Sequence, residues 1–500
     1  MKLRSEAPQV LTDDECRRIV DAAARIAARV PLRVTGASAG GGEETPTDRL
    51  LAMLRQFGCE ISDDRARVSF PAEVIDRVMA AIARRRASLP EEPAEPADTL
   101  TYAASGQALW CCDAEGDRIR AATVEDQAAL SRVVDAIPGL ERTHPTFIPQ
   151  DVPAATAEVH AFATIILNSS RPWRVSVYTA ELLPHFIELD TLARGGDREA
   201  VNDAPTFAAK AWWNTPFMLT GGNIAIGMKA RELMGLPLTI STMPVAGAAT
   251  PVTLAGCLAL STAEVLQCNA ISLAVDERLM GWTAGPLTID PRSGIHTQSG
   301  PAVQLIGLAA RTVSAHLFGG RVTASGGPTT GAKVPGAQSM MEKTMQTAWA
   351  VQGGVRSFGS LATLATADVG SVVQLMLDVE MMRHFERLLE GIRVDEETIA
   401  EELICEIAPR GAYFLNEEHT GRHFREELFL PELIDSRVPM AWIDDPVTML
   451  DNARRKALRL IEAAENRCPL SDEQRAQVRE IVRDAERVAR EVGLEGSRRM

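Results

Sequence analysis

The amino-acid sequence predicts an α/β fold of repeated strand–helix units, and three observations lead there. From about residue 124 short β-branched or aromatic runs alternate with longer helix-patterned runs, the order that produces a parallel sheet with crossover helices. The runs at 144–148, 173–178, 207–212, 238–243, 279–283, 321–325, 355–361 and 411–415 read as eight strands, a number that suggests a (β/α)8 TIM barrel, although periodicity alone leaves a doubly wound sheet open. The third observation is the stretch 237–256, PLTISTMPVAGAATPVTLAG. Pro237 stops a helical pattern, 238–243 is a short apolar strand, Pro244 ends it, and Pro251 stands where the first turn of a helix accepts it.

In chain order, residues 1–98 read as a helical cap, 99–440 as the barrel and 441–500 as a C-terminal helical extension. LTDDECRRIVDAAARIAARV places a threonine before a run of acids and spaces its apolar residues for one helix face. DRLLAMLRQFG ends at a glycine, ARVSFP is extended, AEVIDRVMAAIARRRASL is helical, and LPEEPAEPAD is a Pro/Glu-rich linker. ALWCCDAEGDRIR reads as a hairpin turning at Glu115 and Gly116. The helix from Pro251 to about Val275 carries small residues for close packing, and PVTMLDNARRKALRLIEAAENR opens a charged tail. The helical ends point to assembly as a homo-oligomer.

Composition narrows the functional classes. A net charge of −15 with no long basic run argues against a nucleic-acid surface, and the arginine clusters at 84–86 and 498–499 read as solvated helix ends. No window holds eighteen uncharged apolar residues and the first fifteen lack an apolar signal core, so the expectation is a cytoplasmic protein without membrane contact. Eight cysteines without a CxxC form neither a disulfide framework nor a metal site, and nearly all of them read as buried thiols.

In a barrel the productive positions are the C-terminal ends of strands. Here these carry Trp212, Trp213, Asn214 and Phe217 after the third strand, Met243 after the fourth, Trp282 in the fifth with His296 in the loop beyond, and Arg356 and Phe358 in the seventh. The segment GGPTTGAKVPGAQ, with Lys333 and Gln338, reads as a mobile loop over the mouth; it lacks phosphate-loop spacing. Arg292 and Arg356 are candidates for a bidentate grip on a carboxylate. His419 and His423 stand four apart on one helix face and read as structural, because no third ligand is evident.

The runs STMPVAGAATPVTLAG, SGGPTTGAKVPGAQSMMEK, LLEGIRVDEETIA and NEEHTGRHFREELFLPEL, with WCCDAEGDRIRAATVEDQAAL upstream, resemble the trimethylamine methyltransferase family over most of the chain. The resemblance implies a (β/α)8 barrel and methyl transfer from an amine to the cobalt(I) of a cognate corrinoid protein, a methylcobalamin-type corrinoid carried by that separate partner and not bound covalently here. Lys333, Pro335 and Gln338 match the family's mouth loop, whereas Gly336 stands where an acidic residue is usual. The trimethylamine-specific members carry pyrrolysine; this chain holds only standard residues, so it resembles the branch acting on quaternary amines such as glycine betaine.

Tryptophan faces suit such a substrate, since a quaternary nitrogen donates no hydrogen bond and is held by cation–π and dispersion contacts. Trp282 and one of the Trp212–Trp213 pair are the candidates for a cage, because neighbours on a strand face opposite ways. No catalytic residue within the chain is expected, nor a metal ligand set: a quaternary amine already holds a neutral leaving group and the nucleophile arrives with the partner. Two alternatives stand beside this reading, a barrel that binds methylated amines without turnover and an enzyme that hands the methyl directly to tetrahydrofolate.

Overall fold

Parallel pairing links the central strands in chain order, and the last of them pairs with the first. The computed structural model describes residues 9–38, 44–90, 99–171, 173–320 and 327–494. The expected strand at 321–325, most of the Pro/Glu-rich linker and the arginines at 498–499 lie outside these residues. Thr101–Ala104 pairs with Leu140–Thr143, Thr143 with Trp173, Val175–Val177 with Phe207–Ala209, Ala211–Trp213 with Ile240–Thr242, and Thr242 with Ala284, every pair parallel. Ser357–Leu361 lies parallel to Thr101–Ala104 on its other side. The helices Val124–Ala136, Ala157–Asn168, Leu183–Ala193, Gly221–Met234, Leu254–Asp276, Pro301–Phe318, Ala337–Gln352 and Val372–Glu390 alternate with these strands, so the fold is mixed α/β.

Several expected strands hold their places. The strands at 175–177, 207–213, 240–242 and 357–361 fall on predicted runs, because β-branched or aromatic residues there are bounded by Pro or Gly. The hairpin around 115–116 also forms, with Trp110–Cys112 antiparallel to Ile119–Ala121. Others shift. The strand expected at 144–148 ends before it, at Thr143, and only Phe147 of that run makes a bridge, to Ala108. Residues 279–283 are not a strand: Asn269 of the preceding helix holds both the N–H and the carbonyl of Gly281, whose φ is 86°, and strand Leu287–Ile289 begins later. Residues 411–415 run into the 3-10 turn Phe414–Asn416, with Tyr413 and Leu415 more than three-quarters exposed (84% and 80%) and no strand partner among the described residues. The strand missed is Thr101–Ala104, four small or polar-tipped residues without alternation.

The N-terminal helices are joined to this body by more than packing. Thr12 and Glu15 cap Asp13–Arg29 reciprocally, and its buried Cys16, Val20, Ala23 and Ala27 face Leu254–Asp276. A small sheet follows, in which Leu32–Val34 runs antiparallel to Arg67–Ser69 and parallel to Met218–Leu219 of the body. Leu254–Asp276 is long and apolar enough to cross a membrane by length and composition, yet 78% of its apolar window is buried inside the protein. At the other end Met449–Ala463 packs on Val372–Glu390, and Asp472–Glu491 packs on Ala157–Asn168 and Leu183–Ala193. Between 391 and 448 only Ile407 and Leu433 are buried, so that stretch is an exposed arm.

Candidate functional site

Strand alternation separates an inner face from an outer one. Leu140, Val175, Val177, Phe207, Ala211, Trp213 and Ile240 all sit in apolar clusters shared with the surrounding helices. Successive side chains on a strand point to opposite faces, so Arg174, Ser176, Lys210, Trp212 and Ser241 occupy the inner one. Arg142 joins them through a register shift in its strand, which sets it opposite Ala103 while Leu140 lies opposite the core residue Tyr102. The exposures agree: Arg142 and Arg174 reach solvent, and Lys210 and Trp212 are half-buried. Trp212 pairs with Ser241, which places Asn214 and Met243, both exposed, as the next inward pair beyond the last paired residues.

This inner face is cationic. The Lys210 ammonium lies 5.0 Å from the Trp212 ring centroid, and the Tyr178 hydroxyl donates to Gln107 at 2.8 Å. Burial, with Arg174 and Arg142 beside it, pulls the His144 imidazole down to about 4. Burial and then Arg174 also lower Lys210. No carboxylate among the described residues pairs with Arg142, Arg174 or Lys210. The Trp212 indole N–H is buried and has no acceptor among the described residues.

Behind the strand ends a buried carboxylate fixes the wall. Glu264, 0% exposed on Leu254–Asp276, accepts hydrogen bonds from Thr242 Oγ1 at 2.6 Å, Thr215 Oγ1 at 2.9 Å and the Phe217 N–H at 3.0 Å. Burial pushes its pKa up against the lowering of these donors. The Trp213 indole lies near enough to bias the carboxylate without meeting hydrogen-bond geometry. Trp213 and Phe217 are therefore wall residues in the outer core, and Trp212 and Asn214 are the members of that run on the inner face.

The expected mouth loop is fastened. Glu342 accepts from Thr330 Oγ1 at 2.6 Å, the Gly331 N–H at 2.8 Å and Gln338 Nε2 at 3.1 Å, while Ala365 and Thr366 donate to the carbonyls of Ala332 and Thr330. Lys333 is exposed and donates to the Gly331 carbonyl. The turn it rests on is strained, with Ser360, Ala362, Ala365, Thr366 and Ala367 all at φ between 49° and 80°. A pair invisible to sequence reading pins this turn: Lys343 and Asp378, both 0% exposed, meet at 2.7 Å, and Asp378 also accepts from the Ala362 N–H.

The remaining candidates lie apart. The Trp282 indole donates to the Ala284 carbonyl and its ring packs against the N-terminal helices. Trp282 and Phe358 line a cavity of 340 Å³ between 284–287 and 358–360, backed by the helices at 301–318 and 337–352. Its lining includes none of Arg142, Arg174, Lys210 and Trp212. His296 is exposed in a hairpin opposite Ile289, Arg356 donates to the carbonyls of Val351 and Val355, and Arg292 is paired with Asp290. His423 meets Glu397, and among the described residues no group of His, Cys, Asp and Glu is arranged to hold a metal ion. Burial raises the thiols of Cys111, Cys112, Cys257 and Cys268. Sequence reading passed over Arg142, His144, Arg174 and Lys210, although a cation inside a strand of a parallel sheet, where apolar runs are the norm, is itself a signal.

A model of the family described as trimethylamine methyltransferase (MTTB) matches residues 5–489. The trimethylamine methyltransferase MttB of Methanosarcina thermophila is 24% identical over 399 residues, 78% of this chain and 82% of that protein. A glycine betaine methyltransferase of Desulfitobacterium hafniense (strain Y51) is 23% identical over 364 residues, 72% of this chain and 74% of that protein. Among solved structures, the hydroxylamine complex of MtmB superposes with a TM-score of 0.38 at 13% identity, covering 92% of this chain and 96% of that one.

Proposed function

This chain belongs to the trimethylamine methyltransferase family, and from that premise we propose that it moves a methyl group from a quaternary amine to the cobalt of a separate corrinoid protein. In this reading the parallel strands form a (β/α)8 barrel and the amine sits on its inner face. The observation that carries the reading is Trp212, half-buried on that face with Asn214 and Met243 open at the strand ends beyond it. An indole face and a polarisable thioether hold a nitrogen that has no N–H to donate.

A corrinoid carried on its own protein would supply the nucleophile for the methyl carbon. The part of this chain is to bind the amine and hold one methyl toward the strand ends, which converts an encounter into an aligned attack. The C–N electron pair stays with nitrogen and a neutral tertiary amine leaves, so no acid is needed from the wall. None of the raised thiols is called on as a nucleophile.

The test is demethylation by the purified protein with a reduced corrinoid across betaines, carnitine, choline and trimethylamine, followed by the corrinoid spectrum and by the amine released. Turnover of a quaternary amine, with KM raised on Trp212→Ala, is expected. Silence across the panel overturns the proposal, and turnover with tetrahydrofolate alone moves the acceptor to folate.

A further inference from the structure

Three cations share the inner face with no carboxylate paired to them among the described residues. Arg142 and Arg174 flank the parallel bridge between Thr143 and Trp173, where the Arg174 N–H donates to the Thr143 carbonyl at 3.3 Å. Lys210 follows Ala209, which pairs with Val177 of the same strand as Arg174. The three side chains therefore rise from three neighbouring strands toward one side. Like charges so placed repel one another. His144 stays neutral among them at pH 7, its pKa held near 4, and the Trp212 indole N–H adds a donor with no acceptor among the described residues. The three cations and the Trp212 indole all present N–H donors, which an anion satisfies. The carboxylate candidates suggested by sequence are engaged elsewhere: Arg292 with Asp290 and Arg356 with two backbone carbonyls.

We propose that Arg142, Arg174 and Lys210 form an anion subsite that takes the carboxylate end of a zwitterionic amine substrate, and so are the residues by which this chain selects such a substrate over a purely cationic amine. This rests on the quaternary-amine reading above and assigns the opposite end of the same molecule. The trimethylated nitrogen lies beyond Lys210 over Trp212, toward Asn214 and Met243, and the carboxylate lies among the cations. Lys210 then has two effects: it draws the carboxylate inward and repels a substrate that carries only positive charge.

Binding calorimetry on the full chain without corrinoid, and hence without turnover, tests this with glycine betaine, choline, tetramethylammonium, acetate and inorganic phosphate. Glycine betaine is expected to bind about ten-fold or more tightly than choline, the size of one charge-assisted hydrogen bond. Arg142→Gln and Arg174→Gln are each expected to erase that preference while leaving tetramethylammonium affinity and the melting temperature as in the parent. Equal affinity for glycine betaine and choline in the parent, or unchanged glycine betaine affinity in a well-folded Arg174→Gln, overturns the subsite. Phosphate binding more tightly than acetate and glycine betaine also overturns it, since the site then serves a phosphate. If neither tetramethylammonium nor choline binds while acetate does so in an Arg174-dependent way, the subsite stands and the quaternary-amine reading falls.

Discussion

Replacing Asp378 by asparagine isolates the pair that holds the strained turn after the last strand. Lys343 Nζ and Asp378 Oδ2 stand 2.7 Å apart with both side chains 0% exposed. The same carboxylate accepts from the Ala362 N–H and Gln374 Nε2, each at 2.8 Å. Burial lowers Lys343 and raises Asp378, so the charged pair persists against its own desolvation, and removing one partner leaves the other exposed to that penalty. Breaking such a pair costs about 3–5 kcal/mol. An upper bound comes from letting Lys343 lose its proton instead, about 4.6 kcal/mol at pH 7 for a group that titrates near 10.4 when unfolded. Asp378→Asn is therefore expected to lose about 3–4.6 kcal/mol at pH 7.

The sign of the pH dependence follows. If the folded variant holds a neutral lysine while the unfolded chain binds a proton, the loss shrinks as pH rises, by about 1.4 kcal/mol per unit below the unfolded pKa. Lys343→Met with Asp378→Leu is expected to be less damaging than either single change, because no buried charge is orphaned. Urea unfolding followed by far-ultraviolet circular dichroism at pH 7 and pH 9 measures all of this. A loss below about 1 kcal/mol in Asp378→Asn, the size of a surface pair, would refute the reasoning.

The remaining predictions concern the site and its wall. His144 is expected to titrate near 4 by NMR, and Arg174→Gln should move its midpoint upward; a midpoint at the ordinary histidine value in the parent contradicts the cationic cluster. Because that folded pKa is depressed, the stability held by the neutral ring is full above the unfolded value of 6.5 and is lost as pH falls toward 4. Trp212→Ala is expected to raise KM for a quaternary amine about five- to thirty-fold, the range of a desolvated cation–π contact, with Trp212→Phe recovering most of it. Steady-state kinetics that leave KM unmoved in Trp212→Ala remove that residue from the site. Glu264→Gln is expected to lose about 1–3 kcal/mol at pH 7, since amide hydrogens replace an acceptor facing three donors. Its raised pKa also means that the parent gains stability as pH falls from that value toward 4.5, a gain the variant lacks; parallel stability–pH curves for parent and variant would count against the clamp.

The strands most legible in sequence were those whose residues carry their own boundary. Residues 238–243 sit between Pro237 and Pro244, and 173–178 combine an aromatic start with alternating valines. Thr101–Ala104 has no such marks; what makes it a strand is two neighbours, one near in sequence and one far. Residues 411–415 show the reverse, aromatic and aliphatic residues that look extended but meet no partner. The same limit applied to the site. Trp212 could be named as a strand-end aromatic, yet which of Trp212 and Trp213 faces inward depended on pairing with Ser241 and Thr242. Arg142, Arg174 and Lys210 gain meaning only when neighbouring strands bring them together, and Glu264 only when loops 215–217 and strand 240–242 converge on one helix.

The junction of Thr101–Ala104 with Ser357–Leu361 sets a timetable for biosynthesis. The two segments bond across 255 positions of chain. At translation speeds of about 5–20 residues per second, one edge of the first strand waits roughly 13–50 s for its mate to leave the ribosome. Until then its amides and carbonyls are an unsatisfied template for any extended peptide nearby. Because contacts so distant in sequence form late, the joining of these two strands is expected to follow helix formation.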